Sequence, residues 1–462
     1  MNSQPNILFV FSDQHRWCDL GCYGNSEVLS PNIDALAERG ITINQCLSNS
    51  PLCVPARGSL LTAQYPLKHK AAANDLPVDS SCESVATILR KAGYHTGYMG
   101  KWHLAGVPRE KHIPAEDRLG FEEWRVCNCS HNYLDTYYDD EMNRRHEIEG
   151  YDAEAYTEMA VDFIERNREA PWGLWLSWGP PHDPYHAVPE KYKALYDGKE
   201  LTLRENVSDL INQESGRGKF WTKEDARHNL MGYYAHISAL DEQIGRLVEV
   251  LDRTGQFENT IVVYTSDHGD QLGSQGYANK QLPFEESVRV PLIASGPGIP
   301  VNCQSEAMIG LVDIAPSLLG LVGLDMGETD GRKLPSVFTD AEDKGLEDCY
   351  LFDLVNCHQS FWRGTDAWRA VRSHNYTYAC KENGEPWLLY DNQRDSLQQN
   401  NLVGDPFYAN IQKELHERII FLTNKHDGLE GWETILKKSN LIEAWNESQR
   451  YFGEPELSVP ND

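Results

Sequence analysis

A large, mostly parallel α/β sheet sandwiched by helices, with a smaller α+β subdomain built on a short antiparallel sheet, is the fold class this sequence predicts. Apolar runs of strand length alternate with helical periodicity through the first three quarters of the chain, the pattern of strand–helix–strand units packed on both faces of a sheet. At 462 residues the chain exceeds one ordinary core. Beyond about residue 335 the pattern changes to short aromatic-rich runs separated by turn residues. We therefore expect a larger α/β domain over 1–340 and a smaller subdomain over 341–462.

In chain order, Asn6 to Phe11 reads as a buried strand, Asn32 to Arg39 as a helix stopped by Gly40, and Ile41 to Leu47 as extended. A helix follows from Cys53, then an amphipathic stretch at Ser84 to Ala92 and a strand at His95 to Gly100. Trp172 to Trp178 is an apolar run ending at Gly179-Pro180-Pro181. From Tyr234 to Leu251, Ile237, Leu240, Ile244, Leu247 and Leu251 recur every three or four residues, which predicts a core-facing helix. Thr260 to Thr265 and Val290 to Ala294 read as strands and Leu311 to Leu321 as a helix. Cys349 to Leu354, Trp368 to Val371, Tyr376 to Cys380 and Trp387 to Tyr390 read as the small sheet, with a helix from Pro406 to about Leu422 and a polar tail from Gly453.

Lys and Arg number 42 against 70 Asp and Glu, for a net charge of -28. Such a chain repels nucleic acid and anionic membrane, and no run approaches a membrane span. An anionic substrate must then be gripped by a local cationic pocket, which favours small or oligomeric esters over long polyanions. The eleven cysteines are odd in number and show no framework spacing. Cys127-Asn128-Cys129 with His131 lacks the second cysteine pair of a zinc finger. Met1 to Pro5 lead straight into the first strand without a basic start or cleavage site, so the chain as written reads as cytoplasmic, and as periplasmic or secreted only if a leader has been trimmed.

In such sheets ligands collect beyond the carboxyl ends of the strands. The first strand ends in Ser12-Asp13-Gln14-His15, and the Thr260 strand in Ser266-Asp267-His268-Gly269-Asp270. Singly, each reads more readily as a helix cap or a solvated turn. Jointly, Asp13, Gln14, Asp267 and His268 make a four-ligand site for a divalent cation. Cys53 opens a helix, where unpaired N–H groups and the positive dipole end activate a nucleophile and stabilise an oxyanion. Pro55 suits the first turn, and Arg57 adds a planar cation able to grip an oxyanion or hold the nucleophile. Lys101 and His103 lie two apart beyond a strand, so extended geometry would point them the same way.

Cys53-x-Pro55-x-Arg57 resembles the modification signature of the type I sulfatases of the alkaline phosphatase superfamily, with Ala56 where Ser is usual. Gly93-Tyr-His-Thr-Gly-Tyr-Met-Gly-Lys101-Trp-His103-Leu resembles their second signature, and the likeness continues through Glu285 to Ile293, Leu311 to Ser317 and Trp387 to Asp391. The resemblance implies an alkaline-phosphatase-like fold and a sulfate monoester hydrolase. It implies that a maturation enzyme converts Cys53 to formylglycine, whose hydrated form attacks sulfur. Asp13, Gln14, Asp267 and His268 match the metal ligands, although many sulfatases carry Asp at the second place and Asn at the fourth. With an imidazole in the set, calcium is the first choice and manganese or magnesium remains open. Lys101 and His103 match contacts to the modified side chain, His182 the proton donor to the leaving oxygen, and Lys280 the sulfate-binding lysine. His186 has no match and reads as structural. Gln14, His268 and Ala56 also support a phosphonate monoester or phosphodiester hydrolase on the same scaffold. The C-terminal patterns at Trp362, Trp368 and Pro386 look like those of bacterial carbohydrate sulfatases, which implies a sulfated sugar. His131, Tyr133, His358 and Trp362 are candidates to meet its ring, each with ordinary packing as the alternative.

Overall fold

The structure, a computed structural model, describes residues 4–428 and 430–457, so the last five residues of the polar tail lie outside the described residues. Its centre is three parallel strands, Thr260–Ser266, Asn6–Asp13 and Trp172–Pro181, side by side in that order. Every residue of all three is buried, as expected of parallel strands covered on both faces. Alternation decides which face each side chain joins. Ile7, Phe9 and Phe11 pack with the helices Cys53–Thr62, Val85–Lys91 and Leu311–Leu321, while Leu8 and Val10 pack with Asp152–Arg166 and Lys223–Arg253.

The sheet grows to 11 strands. On one side His95–Lys101 and Glu123–Cys127 continue it in parallel, and Leu134–Asp140 and Arg145–Tyr151 close it as an antiparallel edge. On the other side the expected strand Val290 to Ala294 is two short pieces, Arg289–Val290 and Leu292–Ser295, both antiparallel to Ile41–Leu47. Pro291 separates them, because proline offers no N–H to a ladder. Cys303–Gly310 then pairs in parallel with Ile41–Leu47.

The long helix spans Lys223–Arg253 and buries Ile237, Leu240, Ile244, Leu247 and Leu251 as the periodicity predicts. It starts eleven residues earlier than expected because Thr222 and Asp225 form a reciprocal capping box ahead of a polar first half. The second sheet has four antiparallel strands, Asp348–Asp353, Trp368–Ser373, Tyr376–Lys381 and Pro386–Asp391, in chain order. Ala409–His426 packs on it, followed by Trp432–Lys438 and Ile442–Phe452, two helices the sequence reading did not anticipate. All eleven cysteines are unpaired. Among the described residues no helix is long and apolar enough to cross a membrane.

Candidate active site

The carboxyl edge of the central strands gathers residues from across the chain. Asp13 ends its strand, Lys101 ends the next but one, and His182 and Asp267 directly follow theirs. Cys53 is the first residue of the helix Cys53–Thr62, whose Val54 N–H is capped by Asn74 Oδ1 at 3.1 Å. Its sulfur, here the thiol, lies 3.2 Å from His268 Nε2 and 3.6 Å from Asp13 Oδ1. Burial raises the thiol's pKa, but Lys280, Lys101 and His268, with His103 close by, outweigh that and hold it well below the ordinary range.

Arg57 is fully buried and has a different position from the one the sequence reading gave it. Its Nε donates to Asp267 Oδ2 at 2.9 Å and its Nη2 to Asp13 Oδ2 at 3.1 Å. Nη1 donates to Lys101 O at 2.8 Å and Ser177 Oγ at 2.7 Å. The guanidinium is thus a clamp between two carboxylates, with its donors committed to the frame. Lys101 Nζ donates to Asp13 Oδ2 at 2.7 Å. Burial and the Cys53 sulfur push the Asp13 carboxyl up, but Lys101, His182 and Arg57 prevail and hold it below the usual carboxylate range. Burial and the Asp13 charge push the Asp267 carboxyl up, against His268 and Arg57.

Asp13, Cys53, Asp267 and His268 each offer a ligand atom within 4.8 Å of the others, the group among the described residues with metal-binding geometry. Two features fit a divalent cation. One is the Asp267 carboxyl, raised by burial and by its like-charged neighbour, which a cation would relieve. The other is His268, whose Nδ1 faces Gly269 O at 3.0 Å, so that in the neutral ring Nε2 turns a lone pair on Asp13 Oδ1 at 3.5 Å and Asp267 Oδ1 at 3.6 Å. Gln14 is placed beside this group, with its carbonyl oxygen accepting from Lys280 Nζ at 2.6 Å and its amide nitrogen donating to Asp270 Oδ2 at 2.7 Å.

Lys280 Nζ also donates to His182 Nε2 at 2.5 Å, while His182 Nδ1 donates to Asp183 O at 2.7 Å. His131 stacks on His182 with ring centroids 4.5 Å apart. His103 leaves the extended geometry expected of it. The strand stops at Lys101, and His103 takes a left-handed backbone, φ 58°, that turns its ring toward Asp75, with Nε2 3.5 Å from Oδ1. Burial lowers the pKa of this imidazole, but the Cys129 charge and the nearness of Asp75 and Cys53 raise it to about 10. His358 Nε2 reaches the same carboxylate at 3.3 Å. Tyr133 is a core residue whose hydroxyl donates to Asp183 O at 3.2 Å, and Trp362 lies under the Arg217 guanidinium at 3.9 Å.

Several participants escaped sequence reasoning. Asp75 accepts two bonds of 2.8 Å from Arg109, and Asp270 accepts from Tyr185 OH at 2.6 Å. Arg363 donates to Ala278 O at 2.7 Å and Lys280 O at 2.5 Å, pinning the Lys280 loop to the second sheet's helix His358–Arg363. Asp270 alone had a signal, two residues beyond His268 in the strand-end run.

A parallel-centred sheet with a cysteine at a helix N-terminus facing paired carboxylates defines an alkaline-phosphatase-like hydrolase scaffold. A family model for sulfatases matches residues 5–324, and one for the C-terminal part of N-sulphoglucosamine sulphohydrolase matches 273–425. The chain belongs to the sulfatase family. An ulvan-active sulfatase of Formosa agariphila is 34% identical over 99% of this chain and 87% of its own. An N-acetylglucosamine-6-O-sulfatase of Bacteroides thetaiotaomicron is 26% identical over 89% of this chain and 85% of its own. The fold also matches a solved structure in complex with its substrate D-glucosamine-2-N,6-O-disulfate, with a TM-score of 0.81, 23% identity and coverage of 93% and 100%. It matches the phosphonate monoester hydrolase of Agrobacterium radiobacter with a TM-score of 0.74, 21% identity and coverage of 91% and 96%.

Proposed function

We propose that the protein hydrolyses a sulfate monoester carried by a sugar, with formylglycine formed from Cys53 as the nucleophile and a divalent cation held by Asp13, Asp267 and His268, with Gln14 at its side. The observation that carries this reading is the position of Cys53 Sγ, 3.6 Å from Asp13 Oδ1 and 3.2 Å from His268 Nε2, at a buried helix N-terminus ringed by Lys101, Lys280 and His182. The names of the Formosa and Bacteroides relatives support a sulfated saccharide.

In this mechanism one hydroxyl of the hydrated aldehyde passes its proton to the Asp267 carboxylate and attacks sulfur in line as the bond from sulfur to the sugar oxygen breaks. Lys101 and Lys280 offset the negative charge of the ester by fixed electrostatics in a pocket that excludes water. The departing oxygen takes its proton from the hydrogen-bonded Lys280–His182 pair, the general acid. His103, which loses one of the partners that hold its proton when Cys53 becomes formylglycine, takes the proton of the remaining hydroxyl. The carbon–oxygen bond to sulfate then breaks, the carbonyl reforms and sulfate leaves. A bound divalent cation, calcium by first choice, would supply Lewis-acid polarisation of the ester and nucleophile oxygens.

The test is mass spectrometry of the peptide spanning residues 51–57 from protein made with a formylglycine-generating enzyme, together with sulfate release from a panel of sulfated saccharides. We expect an aldehyde at position 53, loss of activity in Cys53→Ala with the fold intact, and loss on chelation that calcium or manganese reverses. Wild-type rates in Cys53→Ala, or in metal-free protein, would overturn the mechanism. Faster turnover of phosphonate monoesters or phosphodiesters would assign the rival chemistry favoured by Gln14, His268 and Ala56.

A further inference from the structure

Beside this site lies a cavity that the chemistry above leaves unused. It holds about 190 Å³, less than a site for a drug-sized ligand but open on one side and on the scale of a single ring. His358, Phe361 and Trp362 form one wall, and Trp432, Trp445 and Phe452 form the other. The second wall belongs to helices beyond residue 425, where the matched C-terminal family region ends.

Two connections tie the cavity to the candidate site. His358 reaches Asp75 Oδ2 at 3.3 Å, and Asp75 Oδ1 lies 3.5 Å from His103 Nε2. Cys357, also in the wall, accepts from the side-chain amide of Gln281 at 3.7 Å, directly after Lys280.

The lining indicates what the cavity suits. Aromatic faces dominate it, and no lysine or arginine is among its lining residues. Its carboxylates are engaged, Glu454 by Arg217 and Glu456 by Arg450 at 2.7 Å. The cations at its border, Arg217 and Arg450, are thereby already paired, so a second sulfate would find no free one among the described residues. Trp445 is only 5% exposed, yet its indole N–H has no acceptor among the described residues, an arrangement that is costly unless a ligand or water supplies one. A sugar ring offers apolar C–H faces to aromatic rings and hydroxyl oxygens to such a donor.

We propose that this cavity receives an uncharged sugar ring adjoining the ring whose sulfate faces Cys53, so that the substrate is a sulfated oligosaccharide rather than a sulfated monosaccharide or aryl ester. The inference rests on the sulfated-sugar reading above. Its test compares kcat/KM on ulvan oligosaccharides and on 4-nitrophenyl sulfate for the wild type, Trp445→Phe and Phe452→Ala. The saccharide-to-aryl ratio is expected to fall about 10-fold in each variant. Phe452, a partly exposed ring, keeps the comparison valid if Trp445→Phe misfolds. Desulfated ulvan oligosaccharides are also expected to give a saturable change in wild-type tryptophan emission that weakens in Phe452→Ala. An unchanged ratio in both variants, or no emission change in the wild type, would overturn the cavity's role while leaving saccharide hydrolysis intact. A wild type that cleaves the aryl ester and no saccharide would overturn both readings.

Discussion

Replacing Arg57 by methionine keeps a side chain of similar length and removes the fully buried guanidinium shared by Asp13 and Asp267. Four hydrogen bonds vanish, two of them to carboxylates. Breaking one buried pair typically costs about 3–5 kcal/mol, because the surviving charge stays desolvated. The second carboxylate adds little. Burial and the Asp13 charge already push the Asp267 carboxyl up, so it takes a proton instead of remaining an unpaired anion. Unfolding entropy of about 2.1 cal/mol/K per residue comes to roughly 1 kcal/mol/K for the 462 residues. The melting temperature of chelator-treated Arg57→Met should therefore lie about 3–5 °C below that of chelator-treated wild type in scanning calorimetry, and the metal-replete variant should lose sulfate release as Asp13 and Lys101 drift. The loss should grow with rising pH, since the folded variant then retains at Asp267 a proton that the unfolded chain has released. A melting temperature within about 1 °C of wild type, together with full activity, would refute the clamp.

His182→Ala should slow sulfate release from a sugar by about 10²–10⁴-fold, with a much smaller effect on an aryl sulfate whose leaving group needs no proton; equal losses on both esters would exclude His182 as the acid. Asp152 is buried behind Lys101, and burial, opposed by the Ala153 N–H and Lys101, raises its pKa to about 8. Between its ordinary value of 3.8 and about 8 the folded chain keeps a proton the unfolded chain loses, so stability falls as pH rises across that window and levels off above it. Asp152→Asn should flatten this slope and stabilise the neutral protein by on the order of 3–4 kcal/mol, read as melting temperature against pH; parallel curves for variant and wild type would count against it.

The sheet's centre was readable because fully buried parallel strands are written as continuous apolar runs, as in Asn6–Asp13 and Trp172–Pro181. Its margins were not. Arg145–Tyr151 buries only Ile148 and Tyr151, and so lacks the hydrophobic pattern on which strand reading depends. The helix Asp152–Arg166 did carry such a pattern, in Tyr156, Ala160, Phe163 and Ile164. Trp432–Lys438 and Ile442–Phe452 are short, and tertiary packing through Ile435, Leu436 and Trp445 supports them more than propensity does.

Sequence by itself determined the family, the order of the strand-end motifs, and the residue types brought to the site, because each is a local pattern tied to a strand end or a helix start. Only the tertiary structure decided what each side chain faces. It turned Arg57 from a candidate oxyanion grip into a clamp on Asp13 and Asp267, gave Gln14 to Lys280 and Asp270, and put Asp75, 22 residues from Cys53, between His103 and His358. Hydrogen-bond partners and desolvation depend on distances across some 250 residues of chain, as between Asp13 and Asp267, and no local spacing encodes them.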